Sequence, residues 1–371
     1  MSKTEGISIF YLSIGSGHQI AAEALARALR QEAPETAVTV TDPFSEVIEN
    51  LPAILDNLQS ASIVLTPSIY DLAWRRGTAG NLFERVAELD LLQDMLRQQI
   101  DEIDARTVVA THVMPTAMAV ALKREGLIDR VFGVATDYGL HAYWPLGDVD
   151  GYFVGHEDLR QMFGYRGFPL AKVHVTGIPL RLAFQETAVL PREKHPKLRV
   201  LLVAGGVRGG GYVELRQTIL EILEVFEELD SHKLQLTVVT GNQERLKRRL
   251  DEYAADTRID LRVLGFVSDI QRLMVAHDVL IGKPGGLLVT EALASGLAMI
   301  LLRPGPGQER ANVDFLARHG AALSGETPRQ AFKALIRCLA DPERVPQMQA
   351  CARALGKPAS AVAAARHILS A

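Results

Sequence analysis

Short apolar runs, each followed by a helical pattern, recur along the whole chain of 371 residues. The first run, ISIFYLS (7–13), is rich in β-branched and aromatic residues, and beyond Gly15 and Gly17 the sequence AAEALARALR has helical spacing. The same order of strand, turn and helix returns through VTVTD, RTVVATH, VFGVATD and DGYFVGH. This alternation predicts an α/β fold in which helices cover a parallel sheet.

A second series of the same kind begins at residue 198 with LRVLLVAGG and continues through LQLTVVTG, LRVLGFV, DVLIG and AMILLRP. Between the two series, residues 181–197 are charged, contain two prolines and lack periodicity, which predicts an interdomain linker. We therefore expect an N-terminal domain over 1–180, a C-terminal domain over 198–342 and a helical tail over 343–371. The long, mostly helical stretch at about 43–104 is too long for an ordinary crossover and is predicted to be an insertion.

Both halves are predicted to be doubly wound and Rossmann-like, facing each other across a cleft. Ligands of open α/β sheets bind at the carboxyl ends of the strands, so the cleft is the expected site.

Composition excludes several classes of protein. Lys plus Arg is 40 and Asp plus Glu is 44, a formal charge of −4, which argues against nucleic-acid binding through global positive charge. Two cysteines are too few for a disulfide framework, and the ten histidines include no HxxxH pair. A reducing cytosol is the expected compartment. No apolar stretch approaches the ~20 residues that span a bilayer, so any membrane contact is expected to be peripheral.

The first glycine-rich turn, Gly15-Ser16-Gly17-His18, opens a helix, so amide groups and the helix dipole converge on one anion-sized spot. A tight turn without a ligand is the alternative, because Ile20 stands where the dinucleotide fingerprint needs a small residue. An imidazole at a helix N-terminus has its cationic form disfavoured, which suits His18 to act as a neutral general base. His18 as an ordinary exposed helix-start residue stays open.

The second turn, residues 205–211, holds five glycines and Arg208, a composition that suits either close approach to a phosphate or a flexible loop. The third, Lys283-Pro284-Gly285-Gly286, precedes a helix and places a cation beside an anion site. Glu291, about one and a half turns into that helix, could accept hydrogen bonds from ribose hydroxyls or be a solvated helix residue. The hydroxyl groups of a sugar could be bound by three further polar side chains, those of Gln308, Glu309 and Asn312. Asp148-Val149-Asp150 is a DxD sequence that we interpret as a structural turn, so no metal is predicted.

Four stretches resemble one family: SIGSGHQIAAEALARAL, TDYGLHAYWPLGDVDGYFVGHEDL, KVHVTGIPL and KPGGLLVTEALASGLAMILLRPGPGQERANVDFL. The family is that of bacterial processive diacylglycerol glycosyltransferases and plant monogalactosyldiacylglycerol synthases, related to the undecaprenyl-linked N-acetylglucosaminyl transferase of peptidoglycan synthesis. The resemblance implies a GT-B fold and a UDP-sugar donor held by the C-terminal domain. It also implies a lipid acceptor held by the N-terminal domain, and inversion at the anomeric carbon without an obligatory metal or other cofactor.

By the same resemblance, His18 matches the family's candidate base, and Asp137 is our second candidate for the base or for the group that orients His18. Glu291 is expected on the ribose, Phe266 and Val267 beside uracil, and Gln308 and Glu309 on the sugar. The predicted donor site comprises Gly17, Gly206, Arg208, Phe266, Val267, Lys283, Gly285, Gly286, Glu291, Gln308, Glu309 and Asn312. The predicted acceptor site comprises His141, Trp144 and Trp74, of which the first two match the region that faces the acceptor or an activating anionic lipid.

The predicted activity is that of an inverting glycosyltransferase that moves a hexose from a UDP-sugar to diacylglycerol or monoglycosyldiacylglycerol at the inner face of the cell membrane. Trp74 belongs to an apolar and basic set in the insertion that could lie among anionic headgroups or pack on a core. Three alternatives stay open: a non-lipid acceptor, a UDP-sugar epimerase of the same architecture, and a non-catalytic sugar-nucleotide sensor. The identity of the transferred sugar depends on one or two hydroxyl contacts, and the sequence does not determine it.

Overall fold

The computed structural model describes residues 5–13, 16–43, 90–188, 190–193, 195–204, 211–229, 233–305 and 307–371. The chain divides into two compact units. The first unit comprises Met1–Leu182, Pro306–Gln308 and Ala359–Ala371, and the second comprises Ala183–Gly305 and Glu309–Pro358. Each unit holds its own parallel sheet with flanking helices, which confirms the predicted α/β class. The predicted limits of domains, linker and tail stay predictions, and most of the predicted insertion, 44–89, lies outside the described residues.

The first unit is built on six parallel strands in the order β2-β1-β3-β4-β5-β6. The strands are β1 (Gly6–Phe10), β2 (Val38–Thr41), β3 (Ala105–Ala110), β4 (Arg130–Val134), β5 (Gly151–Phe153) and β6 (Val173–His174). The helices are α1 (Gly17–Glu32), α2 (Asp90–Glu102), α3 (Val113–Arg124) and α4 (Glu157–Tyr165), with a 3-10 turn at Leu170–Lys172. The predicted strand-turn-helix order is confirmed here.

The second unit repeats this design, with six parallel strands in the order β12-β11-β10-β7-β8-β9. The strands are β7 (Leu198–Val203), β8 (Leu234–Val239), β9 (Asp260–Leu264), β10 (Val279–Gly282), β11 (Ala298–Leu301) and β12 (Ala322–Ser324). The helices are α5 (Ala183–Thr187), α6 (Gly211–Phe226), α7 (Glu244–Asp256), α8 (Ile270–Ala276), α9 (Gly286–Ala294), α10 (Gln308–Arg318), α11 (Pro328–Ala340) and α12 (Arg344–Leu355). Strands β10 and β11 are buried along their whole length, as expected of central parallel strands.

The C-terminal part of the chain forms two helices that belong to different units. Helix α12 is in the second unit, where Gly356 beside it approaches the carbonyl of Leu293 so closely that a Cβ would lie 2.4 Å from that oxygen. The last helix, α13 (Ser360–Ser370), is in the first unit and packs on α1. Arg366 of α13 pairs with Glu32 of α1, Nε to Oε2, at 2.8 Å. The last helix therefore completes the core of the first unit.

The order of the strands places one topological switch point in each sheet. In the first sheet, β2 lies on one side of β1 and β3 on the other, so the chain changes direction between β1 and β3. In the second sheet, the change falls between β7 and β10. Loops that leave the carboxyl ends of these strand pairs diverge and open a crevice, which is where open α/β sheets bind ligands.

Candidate functional site

His18 lies at the switch point of the first sheet, in the first turn of α1. Its Nδ1 is 2.7 Å from the carbonyl oxygen of Thr111, directly after β3, and 3.0 Å from Oγ1 of Thr136, just past β4. A carbonyl oxygen only accepts hydrogen bonds, so Nδ1 carries the proton and donates it. In the neutral ring Nε2 is then the unprotonated nitrogen. The fold therefore fixes His18 in the tautomer that a general base needs.

Two further histidines adjoin His18 and have the opposite tautomer. His112 caps the N-terminus of α3, where its Nδ1 accepts from the amide of Met114 at 3.2 Å, and its ring meets the His18 ring edge to face at 4.8 Å. Nδ1 of His141 accepts from the amide of Tyr143 at 3.3 Å. Because Nδ1 accepts in both rings, the proton of each neutral imidazole is on Nε2. The neutral rings of His18 and His112 thus present an acceptor nitrogen and a donor nitrogen beside each other.

Burial disfavours the charged form of all three imidazoles. Burial lowers the pKa of His18. Burial also lowers the pKa of His112 well below its usual value, and charges on His18 and His141 lower it further. The pKa of His141 falls to about 3, first through burial and then through the positive charge of Arg166 and that of His18. A neutral His18 keeps its lone pair available at physiological pH.

This electrostatic setting predicts the acid limb of the pH profile. A base must be unprotonated, so activity falls as the pH drops through the pKa of His18, which burial has moved below 6.5. We expect kcat/KM to stay level from pH 8 down to about 6.5 and to decline only below that. Initial rates across pH 5 to 8.5 measure it. An inflection well above 6.5 would contradict the assignment.

The loop after β4, which carries the predicted acceptor residues, is tied down by one guanidinium. Arg166 donates to the carbonyl oxygens of His141, Ala142 and Trp144 at 3.2, 2.6 and 3.2 Å. The indole of Trp144 is 5% exposed and packs edge to face on Tyr152. Trp144 is thus a buried side chain of this loop, and its ring stacks on that of His141 at 5.8 Å. The acceptor role of both residues stays a prediction.

The other sites predicted for the first unit have different outcomes. Asp137 is half-buried and directly follows Thr136, whose hydroxyl contacts the His18 ring. Gly17 is the first residue of α1. Trp74 lies outside the described residues. The roles of all three stay predictions.

The second unit places Lys283, Gly285 and Gly286 at the other switch point, directly after β10. Helix α9 begins at Gly286, as the sequence predicts, and no side chain caps it, so its first amides face the turn. A Cβ added at Gly285 would meet no protein atom within 4 Å, and the backbone there has an ordinary φ of −66°. Packing therefore does not demand a glycine, and the space beside these amides can admit an anion.

Two side chains of α10 contact the turn that precedes α9 and the loop before α10. Asn312 is fully buried and its Nδ2 donates to the carbonyl of Pro284 at 2.9 Å. Glu309 accepts from the amide of Gly305 at 2.5 Å, and the same Oε2 is 4.0 Å from Nζ of Lys283. The lysine is thereby held beside the start of α9. Glu291 is only 7% exposed, so its interpretation as a solvated helix residue is wrong.

The remaining donor-site predictions fall elsewhere in the described part of the chain or outside it. Phe266 is 69% exposed and Val267 half-buried, in the loop between β9 and α8. Gln308 is the first residue of α10. Gly206 and Arg208 lie outside the described residues.

The DxD sequence is a structural turn, as interpreted. Asp150 accepts from Nζ of Lys123 at 2.5 Å and from the amide of Val131 at 2.8 Å. Asp148 adopts a positive φ of 57° and accepts from Arg124 at 2.8 Å. Both carboxylates are thus engaged by α3 and β4.

Each half of the chain matches a model of a known protein family. The family model for monogalactosyldiacylglycerol (MGDG) synthase matches residues 18–180, and that for the glycosyltransferase family 28 C-terminal domain matches residues 200–362. The first half of the chain is thus similar to MGDG synthases, and the second half to the C-terminal domain of glycosyltransferase family 28. Both matches are to glycosyltransferases, and the chain is an enzyme of that class.

The proteins similar to this chain cover it to different extents. A processive diacylglycerol β-glucosyltransferase of Bacillus subtilis (strain 168) is 33% identical over 232 residues, 61% of this chain and 59% of that protein. The enzyme of that name from Bacillus cereus (strain B4264) is 27% identical over 373 residues, 96% of this chain and 92% of the relative. MurG of Acinetobacter baumannii is 17% identical with a TM-score of 0.66 and covers 99% of this chain, with all of MurG aligned. The last likeness shows the GT-B fold.

Sequence reasoning missed four polar residues of the first unit's site. They are Thr111, His112, Thr136 and Arg166. The first three follow buried strands within two residues of their ends, in the sequences VVATH and GVATD. A polar residue directly after a buried strand is the signal that could have found them. In the part of the chain that the structure describes, no helix combines the length and apolar character that crossing a membrane requires.

Proposed function

We propose that this chain transfers a hexose from a UDP-sugar to diacylglycerol or monoglycosyldiacylglycerol. The observation that carries the proposal is the hydrogen bond from Nδ1 of His18 to the carbonyl of Thr111, which leaves a neutral Nε2 as base at a switch point. The names of the two Bacillus relatives, which are diacylglycerol glucosyltransferases, support the lipid acceptor and the sugar class. The activity, the substrates and a peripheral place on the inner face of the cell membrane are proposals for this chain.

The reaction is an in-line displacement. Nε2 of His18 takes the proton of the acceptor hydroxyl while that oxygen forms a bond to C1 of the sugar. The bond from C1 to the β-phosphate oxygen breaks, the electron pair remains on that oxygen, and UDP leaves. The configuration at C1 inverts. The proton stays on the imidazole until water removes it.

The second unit supplies the stabilisation of the leaving group. Negative charge grows on the β-phosphate as the bond breaks, and the amides of Gly285 and Gly286, the α9 dipole and Lys283 are placed to meet it. Between the β10 and β9 loops lie three strand spacings, ~14 Å, which an extended nucleoside diphosphate would have to cross. Along this path the uracil ring would lie beside Phe266 and Val267, and the ribose would contact Glu291.

The paired imidazoles of His18 and His112 suit an acceptor that carries hydroxyl groups. Nε2–H of His112 can donate to one hydroxyl oxygen while Nε2 of His18 accepts from another hydroxyl. A glycerol or sugar headgroup has oxygens at suitable spacing for such a set. We infer that the lipid presents its headgroup to these rings, with an anionic bilayer surface as the partner.

One assay separates the candidate functions. UDP release and lipid product are measured with UDP-glucose, UDP-galactose, UDP-N-acetylglucosamine and UDP-glucuronic acid, with and without diacylglycerol in mixed micelles, in excess EDTA. We expect rapid UDP release with at least one donor, in the presence of the lipid only, and a new glycolipid. Interconversion of free UDP-sugars without an acceptor would indicate an epimerase. Tight donor binding with no turnover would indicate a sensor.

A glycine-to-alanine change separates donor binding from folding. In Gly285→Ala the new methyl group meets no protein atom and the φ of −66° suits alanine, so the melting temperature is expected to stay the same or to rise. The methyl group occupies the space proposed for the diphosphate, so the Kd for UDP is expected to increase about tenfold or more. Calorimetric titration with UDP measures this.

The matched control is Gly126→Ala. Its Cβ would also meet nothing within 4 Å, although its φ of 77° strains alanine. This control should lose stability and keep its affinity for UDP. Unchanged UDP binding in Gly285→Ala would exclude the diphosphate from this turn.

A further inference from the structure

A separate cavity of about 330 Å³ opens at the edge of the first unit's sheet, away from the histidines around His18. Strand β6, the 3-10 turn, α4 and α13 each contribute to its walls. The lining residues are Arg160, Leu170, Ala171, Val173, His174, Val175, Thr176 and His367. None of these was singled out by the sequence, and the proposed transfer reaction uses none of them.

Three cationic or protonatable groups meet in this cavity. The rings of His174 and His367 are 4.5 Å apart between centroids. Burial lowers the pKa of His174, and the positive charges of His367 and Arg160 lower it further. Positive charge on His367 and on Arg160 thus opposes protonation of His174, and the three groups face one another as like charges when both rings are protonated.

Arg160 is held in position by its own contacts. Its Nε donates to the carbonyl of Leu170 at 3.2 Å, and its Nη1 donates to Glu157 at 3.1 Å. Glu157 is on the same helix, and it does not line the cavity. The guanidinium is therefore fixed beside the two rings while a third of its side chain stays exposed.

Other charged groups on the surrounding elements have partners elsewhere. Lys172 of the 3-10 turn places its Nζ 3.5 Å from the carbonyl of Val149, and Arg366 of α13 pairs with Glu32. The lining itself contains no aspartate or glutamate. Because Arg160 is paired with Glu157, the charge at the cavity becomes positive as the two histidines are protonated.

We propose that this cavity binds a tetrahedral oxyanion, a phosphate or sulfate group, between Arg160, His174 and His367. A bound anion replaces repulsion among the three groups by attraction to each of them, and stabilises the protonated imidazoles. Because Arg160 is on α4, His174 on β6 and His367 on α13, the anion links the last helix to the rest of the first unit.

The test is a titration with sulfate at constant ionic strength, followed by the imidazole proton signals of the two histidines in NMR spectra. Sulfate keeps its charge between pH 5.5 and 8, so any pH dependence belongs to the protein. Spectra of His174→Asn and His367→Asn assign the signals. We expect saturable shifts of both signals and a higher pKa for both histidines. Each unit of pKa increase corresponds to about tenfold tighter binding at low pH than at high pH.

Variants make the assignment specific. Arg160→Gln removes a charge-assisted donor and is expected to weaken sulfate binding about tenfold. Arg27→Gln removes the same charge from an exposed position on α1 outside the cavity and should leave binding unchanged. Signals of His174 and His367 that ignore sulfate, or that respond equally in Arg160→Gln, would overturn the proposal.

Two sources could supply the phosphate group, and a second arm distinguishes them. Vesicles that contain phosphatidic acid are sedimented with the wild-type protein and with Arg160→Gln. If Arg160→Gln weakens vesicle binding and sulfate competes with it, the source of the phosphate group is a lipid headgroup. If neither changes vesicle binding while the NMR signals respond to sulfate, the source is a dissolved anion.

Discussion

Replacement of His18 by glutamine is expected to lower kcat for sugar transfer by about 10²- to 10⁴-fold, the usual contribution of a positioned general base. Glutamine retains a polar side chain of similar reach, but its amide cannot take a proton from the acceptor hydroxyl. The loss should appear in kcat while the Kd for UDP stays near the wild-type value, because His18 is in the first unit and the proposed diphosphate site is in the second. Steady-state rates and calorimetric titration with UDP measure the two quantities.

Two comparisons make this result decisive. Gln19→Ala alters the next residue of α1, whose side chain pairs with exposed Glu23, and should keep near-normal turnover. Asp137→Asn tests the second candidate for the base. Near-normal turnover in His18→Gln with a large loss in Asp137→Asn would transfer the role to Asp137.

Replacement of Lys283 by methionine is expected to reduce kcat/KM by about 10²- to 10³-fold, the range for loss of one donor that meets developing charge. Methionine keeps the aliphatic part of the side chain, so packing against the turn is largely preserved. The positive charge beside the start of α9 disappears, and the departing β-phosphate then has only the helix amides. Initial rates at varied donor concentration should show both a higher KM and a lower kcat.

The control for this variant is Lys247→Met. Lys247 is on α7 of the same unit and pairs with Asp251 one turn along, 2.7 Å between Nζ and Oδ2, at the surface. Loss of an exposed pair of this kind costs little stability and should leave the rates unchanged. Equal activity of Lys283→Met and Lys247→Met would remove Lys283 from the mechanism.

The local pattern of apolar and polar residues was sufficient to predict the strands and helices of each unit. Short β-branched runs followed by helical spacing specify strands and helices within a few residues, and the start of α9 at Gly286 follows from the glycines before it. The return of α13 to the first unit could not be predicted. The tail has an amphipathic helical pattern, which says that one face is buried but not which core receives it.

For the site, the positions of the residues along the chain were predictable from the sequence, but their hydrogen bonds were not. His18 follows from a turn that opens a helix, yet its tautomer is set by the carbonyl of Thr111, which is 93 residues away in sequence. His112 and His141 join it only because β3 and β4 are neighbours on that side of β1. Burial also decided cases that composition left open. Trp144 of the predicted acceptor region is 5% exposed, and Glu291, for which the sequence left a ribose contact and a solvated helix residue open, is 7% exposed.

The central claim is that a nucleoside diphosphate is held at the switch point of the second sheet, against the amides at the start of α9. A crystal structure with UDP tests it most directly. We predict diphosphate density within hydrogen-bond distance of the amides of Gly285 and Gly286 and of Nζ of Lys283. Density for UDP at another place on the protein, with this turn empty, would contradict the account.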